Sequence, residues 1–284
     1  MAASLNPYIS QFGKEFDAEM SSQYRMAIQF SLGGLSFAIL DSKTNTIVGL
    51  EFYHSDLLTI SDDLFHALER ALASKELNNK TFQSVSCLFD NRFCTLVPEP
   101  LFDVADQTKY LDFSFQIPEG YAVASEKVEQ TGCFNVFAYP KTLENNVLSK
   151  WKSARITHSS TLFINMTLQS RFETGVSVNV RNRDFDMAVR KGGKLHFFNN
   201  FKFNTKEDFA YFLLFAMEQN GLSGKDTPVC FSGLIRPASE IIDLCGRYVK
   251  DIHFVEIPET LKTSTALKDV PFQYYYIHYQ ALQR

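Results

Sequence analysis

Several signatures that would declare a chemistry are missing from this sequence. It has no CxxC pair and no cysteine–histidine spacing that suits zinc, and its five cysteines, Cys87, Cys94, Cys133, Cys230 and Cys245, are scattered and mostly set in apolar runs. Buried free thiols in a reducing compartment are the expectation. The six histidines stand singly, none at helical spacing from a second ligand, so a metalloenzyme has little support. There is no GxSxG elbow and no P-loop. No stretch approaches the ~20 apolar residues of a membrane span, and residues 1–20 carry acids without the apolar core of an export signal. Both points lead to the expectation of a cytoplasmic protein with no membrane insertion. Excess positive charge is also absent: 28 Lys and Arg stand against 32 Asp and Glu, a net charge of −4. A global pull toward nucleic acid is therefore excluded.

What the chain does have is apolar and aromatic. Hydrophobic residues make up 45% of its 284 residues, and 27 Phe with 12 Tyr raise the aromatic share to 14%, enough for packed cores in two lobes. Flat rings fill the space above a pleated sheet, so the composition suits strands.

Residues 24–51 organise the rest. In the run 35–40, Leu35, Phe37 and Ile39 alternate with Ser36, Ala38 and Leu40, as a strand requires. Gly33-Gly34 and the stretch 43–45 break the region into a three-stranded meander. Next comes an amphipathic segment opening at Ser61-Asp62-Asp63, with Leu64, Leu68, Ala71 and Leu72 on one helical face, then a strand over 84–89. The same order returns: strands at 174–180, 185–190 and 194–203, a helix at 205–219 and a strand at 229–232. Ser61 and Thr205 lie 144 residues apart, and so do Val85 and Val229, which argues for a duplication. The expected lobes are 1–170 and 171–284.

Between and after these units the pattern gives hairpin strands at 121–128 and 133–139, helices at 142–152, 159–170 and 237–248, and a polar loop at 258–270. The tail 272–279, FQYYYIHY, reads as an aromatic strand packing on its own domain, or less readily adding to a partner's sheet.

A meander, a helix, and then strands alternating with helices, present twice, resembles the actin-like ATPase fold: an α/β fold with mixed sheets and two ribonuclease-H-like βββαβα lobes. More narrowly, the chain is similar to an uncharacterised bacterial family known only as a domain of unknown function. The resemblance implies a first phosphate loop at 31–36, SLGGLS, and an adenosine-side glycine motif at 231–237, FSGLIRP. It thereby nominates Gly33, Gly34, Ser36, Ser232 and Gly233 as residues toward ATP. A hairpin turn explains the glycine pair equally well, and a tight strand-to-helix turn explains Ser232-Gly233.

The departures from that family pattern are larger than the matches. Ser31 stands where the resemblance implies an aspartate holding magnesium-bound water, Ala38 falls near the expected polar residue, and 178–183, VNVRNR, lacks the second aspartate-glycine pair. Magnesium needs hard oxygen ligands, and phosphoryl transfer needs that metal. No catalytic residue and no metal ligand is therefore assigned, and a crevice without converging carboxylates is expected. A ribonuclease-H-type nuclease fares no better, since 26–30 has no carboxylate. Arg181, Arg183, Arg190, Lys191 and Lys194 cluster around one hairpin and read as a solvated edge rather than a phosphate site. Asp90-Asn91-Arg92 forms either a functional loop or an Asx-turn. The resulting expectation is a non-hydrolysing scaffold or regulatory interaction module, with an unknown protein partner or self-association. The alternative is a divergent ATPase or sugar kinase.

Overall fold

The computed structural model describes residues 6–31, 34–54 and 61–284, which leaves Gly33 outside the described residues. In chain order, β1 (Ile9–Phe12) precedes the meander β2 (Tyr24–Ser31), β3 (Gly34–Asp41) and β4 (Thr46–His54), then α1 (Ser61–Ala73) and β5 (Ser84–Asp90). An inserted unit follows, with β6 (Cys94–Pro98), α2 (Gln107–Asp112), β7 (Tyr121–Val128), β8 (Cys133–Pro140) and α3 (Lys141–Lys150). β9 (Arg155–His158) and α4 (Ser159–Leu168) bring the chain back. The second meander is β10 (Gly175–Val180), β11 (Asp184–Lys191) and β12 (Lys194–Lys202), followed by α5 (Lys206–Gln219), β13 (Val229–Gly233), α6 (Glu240–Cys245) and β14 (Ile252–Phe254). The chain closes with β15 (Lys262–Thr263) and α7 (Tyr276–Leu282).

Two separate mixed sheets carry the same inner order. The first runs β1-β4-β3-β2-β5-β9, with β15 beside β4, and the second runs β12-β11-β10-β13-β14; β6-β8-β7 form a small third sheet. In both large sheets the first meander strand pairs in parallel with the strand after the helix. Met26 lies opposite Val85, and Val176 lies opposite Val229. The two valines marked by the sequence spacing thus occupy equivalent register positions.

Burial explains why the central strands read as nearly continuous apolar runs. One face of the first sheet, with Met26, Ile28, Phe37 and Ile39, packs on Leu64, Leu68 and Leu72 of α1. The opposite face, with Ala27, Ala38, Leu50 and Leu88, is covered by α4 and the C-terminal tail. In the second lobe Phe209 and Leu213 of α5 pack on Val178, Phe185 and Phe231. Thr205 and Asp208 close a reciprocal capping box at the start of α5, as the local sequence suggests.

Three expectations need correction. The tail 272–279 is not a strand: it forms a 3-10 turn at Phe272–Tyr274 and then α7. Its buried side chains, Phe272, Tyr275, Tyr279 and Leu282, recur at helical spacing, and burial on the first sheet overrides the strand preference of tyrosine. The helix expected at 237–248 shrinks to Glu240–Cys245, because the Ser239 hydroxyl accepts from the Ile242 N–H and fixes the start beyond Pro237. The polar loop 258–270 contains β15, which adds a parallel strand to β4.

Two histidines lock the helices that cover the first sheet. His158 precedes α4, and its Nδ1 accepts from the Ser160 N–H at 3.2 Å; all ten residues of α4 are buried. His278 of α7 places Nε2 2.8 Å from the Ser36 hydroxyl on β3. Burial lowers the pKa of His158 to about 3 and that of His278 to about 4. Both rings are therefore neutral when folded, and the unfolded chain takes up protons first as pH falls below the ordinary histidine value of about 6.5. The stability they confer is complete above that value and is lost on acidification. We expect the unfolding free energy to drop between about pH 6.5 and 4, by at most ~1.4 kcal/mol per pH unit for each ring. His278→Gln is expected to flatten that slope in pH-dependent urea titrations.

Candidate site in the interlobe crevice

Each nominated residue within the described chain is tied up by the protein itself. Gly34 opens β3 opposite His54, and a Cβ placed on it would lie 2.8 Å from the Tyr53 carbonyl, so close strand approach accounts for the glycine. Ser36 is bonded to His278. Ser232 donates to the Val178 carbonyl at 3.3 Å or to Asn179 Oδ1 at 3.1 Å. Gly233 has φ +83°, and a Cβ there would collide with the Val180 carbonyl. Gly34, Ser36 and the Ser232-Gly233 turn thus face their own lobes' backbone or α7.

What converges between the lobes is a charged cluster. Arg181 follows β10, and its backbone N–H bonds the Asp184 carbonyl at 2.9 Å, which tightens the turn into β11. Asp184 and Asp186, two apart on β11, share one side of the strand while Phe185 and Met187 enter the core. The Arg181 fork grips Asp186 with Nη1 to Oδ2 at 2.6 Å and Nη2 to Oδ1 at 2.9 Å, while its Nε bonds Asp184. Nη1 also reaches across the crevice to Asp90 Oδ1 at 3.1 Å, at the end of β5. Asp90 accepts in addition from Gln29 Nε2 at 2.8 Å and from the Ser159 hydroxyl, at the N-terminus of α4, at 2.5 Å. Asn200 Nδ2 of β12 completes Asp186 at 3.0 Å. A second cross-lobe bond, from Asn182 Nδ2 to the ring of His54 at 3.2 Å, lies nearer the surface.

The electrostatics follow from burial. The Asp90 and Asp186 side chains are each 1% exposed and Arg181 13%. Burial raises the Asp90 pKa, and the facing guanidinium opposes that rise. For Arg181, burial works against the charge, but Asp186, Asp90 and Asp184 together hold its pKa well above the ordinary value. The positive end of α4 adds a favourable term for Asp90.

Two readings are corrected here. The run around Arg181 is not all solvated edge: Arg183 is exposed, whereas Arg181 is mostly buried and Arg190 donates to the Ser170 and Phe172 carbonyls between α4 and β10. Carboxylates do meet in the crevice, although none stands at the strand-one position. They do not form a magnesium site as placed, since an octahedral cation needs the same oxygens that the guanidinium engages. Among the described residues no group of three His, Cys, Asp or Glu is arranged to hold a metal. Asn91 forms the Asx-turn, its Oδ1 accepting from the Phe93 N–H, while its neighbour Asp90 joins the cluster. A signal for the cluster existed in the sequence: Asp90 and Asp186 sit at the end of or within apolar strands, where an acid is retained only if paired.

A family model described as Protein of unknown function (DUF3822) matches residues 13–252. The chain belongs to that family. No curated protein matches the sequence. Among solved structures, a Bacteroides thetaiotaomicron VPI-5482 protein described as having an actin-like ATPase fold and unknown function is similar at TM-score 0.73 and 17% identity, over 84% of this chain and 93% of that one. A PilM-PilN type IV pilus biogenesis complex is similar at TM-score 0.58 and 7% identity, over 91% and 96%. The ethanolamine utilization protein EutJ from Carboxydothermus hydrogenoformans is similar at 0.51 and 9%, over 91% and 88%. This DUF3822 chain therefore has the mixed α/β actin-like ATPase fold.

Removing Arg181 would strand buried carboxylates. Arg181→Met is expected to cost about 3–5 kcal/mol in equilibrium unfolding, whereas Arg183→Met, exposed two residues away, should stay within about 0.5 kcal/mol. Equal costs would show that the cluster carries no special weight.

Proposed function

We propose that this DUF3822 protein is a non-hydrolysing scaffold or regulatory interaction module of the bacterial cytoplasm, whose lobes are held together by its own arginine rather than by a nucleotide. The observation that carries this reading is the Arg181 fork on Asp186 with its reach to Asp90, which commits the crevice carboxylates to an internal cation. The nominated residues Gly34, Ser36, Ser232 and Gly233 then serve packing and turn geometry. We further propose a lobe boundary near residue 170, with β15 and α7 of the 171–284 portion returning to the first sheet. The unpaired thiols support a reducing compartment, and no helix among the described residues is long and apolar enough to cross a membrane. A protein partner, or self-association, fits the likeness to a structure described as a pilus biogenesis complex.

The competing reading, a divergent ATPase or sugar kinase, draws on the convergence of Asp90, Asp184 and Asp186 and would need Arg181 to leave them. Calorimetric titration with magnesium-ATP, paired with a phosphate-release assay, separates the two. The scaffold reading expects no binding tighter than about 1 mM and no release above buffer. Micromolar binding with turnover would favour the enzyme.

A further inference from the structure

Two strand edges flank a groove between the inserted sheet and the second lobe. The groove holds about 450 Å³ and is lined by Cys94, Thr95 and Leu96 of β6 and by 198–200 and Lys202 of β12. Neighbouring residues on a strand point to opposite faces, so consecutive lining residues mean that each strand meets the groove along its edge. Both are edge strands of their sheets. The hydrogen-bond phase agrees. Phe93 and Glu99 bond toward β8, which turns the peptide groups of Cys94 and Leu96 outward. Phe203 bonds toward Arg183 at the start of β11, which leaves Phe198, Asn200 and Lys202 outward on β12. Two of the outward N–H groups are taken locally, Asn200 by Asn199 Oδ1 and Cys94 by the Arg92 carbonyl. Those of Leu96, Phe198 and Lys202 have no such local bond among the described residues.

The side chains set the chemistry. Leu96 and Phe198 pack together with Ile164 and Leu168, giving an apolar floor. Arg92 and Lys202 both line the groove, both are exposed, no carboxylate accompanies them in the lining, and neither forms an ion pair among the described residues. Backbone groups along two edges, an apolar floor and a cationic rim are complementary to an extended chain with apolar residues on one side and acidic residues on the other.

We propose that this groove binds an extended acidic peptide segment of a protein partner by strand addition. The proposal rests on the interaction-module reading and names the partner's chemistry and its seat. A fluorescein-labelled peptide of about ten residues alternating valine and glutamate, and its valine–lysine counterpart, would be titrated by anisotropy against the full chain, with hydrogen exchange followed at the backbone. We expect the glutamate peptide to bind at least ~10-fold more tightly, amides of Leu96, Phe198 and Lys202 to slow, and Arg92→Glu combined with Lys202→Glu to reverse the preference. Lys202→Gln alone, at an exposed position, should weaken binding of the glutamate peptide with no change in the unfolding midpoint. Equal affinity for both peptides, no binding up to about 1 mM, or protection confined to β14 or to a self-associated form seen in sedimentation would overturn the proposal. Any of these outcomes would leave the scaffold reading standing if magnesium-ATP still fails to bind, whereas nucleotide turnover would remove that reading and not the groove.

Discussion

A single guanidinium shared by carboxylates from both lobes is the constraint on which the rest of the molecule depends. Arg181 belongs to the second lobe and Asp90 to the first, and both are withdrawn from water. Such a pair gains little over a well-packed apolar substitute, but leaving either member alone is costly, because an uncompensated charge stays in a low-dielectric site. The cluster therefore specifies how the lobes sit more than it adds to total stability. Gln29 satisfies the Asp90 oxygen that the fork leaves free, and Ser159 and Asn200 add second donors to carboxylate oxygens that the fork already holds, which fixes the orientation of the cluster.

Around that point the packing is arranged in layers. α4 is buried along its whole length against both sheets, and α7 fills the adjoining face of the first sheet, where the Arg25 side chain holds the Leu282 carbonyl at 3.1 Å. The C-terminal residues are thus part of the first lobe's core although they follow the second lobe in sequence. On the proposed reading, an internal monovalent cation on a planar fork holds the carboxylates that a divalent ion would otherwise need. A guanidinium differs from a metal in being covalently fixed and in having directional donors, so it cannot be exchanged with solvent.

Much of the architecture was legible in the sequence, and the reasons are local. The alternation at 35–40 and the helix expected at 205–219 express short-range rules, while the Val85–Val229 spacing reflects the repeated order of elements, and the structure places all three accordingly. The tail departs from the strand expectation because tyrosine and phenylalanine favour strands in general, whereas the first sheet offers Phe272, Tyr275 and Tyr279 a face at helical spacing. The candidate site was less legible. Asp90 and Arg181 are 91 residues apart, and nothing in either neighbourhood announces the other. The basic run reads as surface because a string of like charges is usually solvated, and only Arg183 and Lys194 of its five members are exposed. The glycine motifs carried a family resemblance, yet the contacts of Gly34 and Gly233 explain them through backbone crowding alone.

The coupling between Asp90 and Arg181 is measured most directly by a double-mutant cycle of Asp90→Asn and Arg181→Met in urea unfolding. If the two side chains act as one interlobe latch, the double variant should be more stable than the sum of the single losses implies, with a coupling of about 1–3 kcal/mol. Additive losses, agreeing within about 0.5 kcal/mol, would mean that the two residues do not depend on one another and that the pair does not latch the lobes.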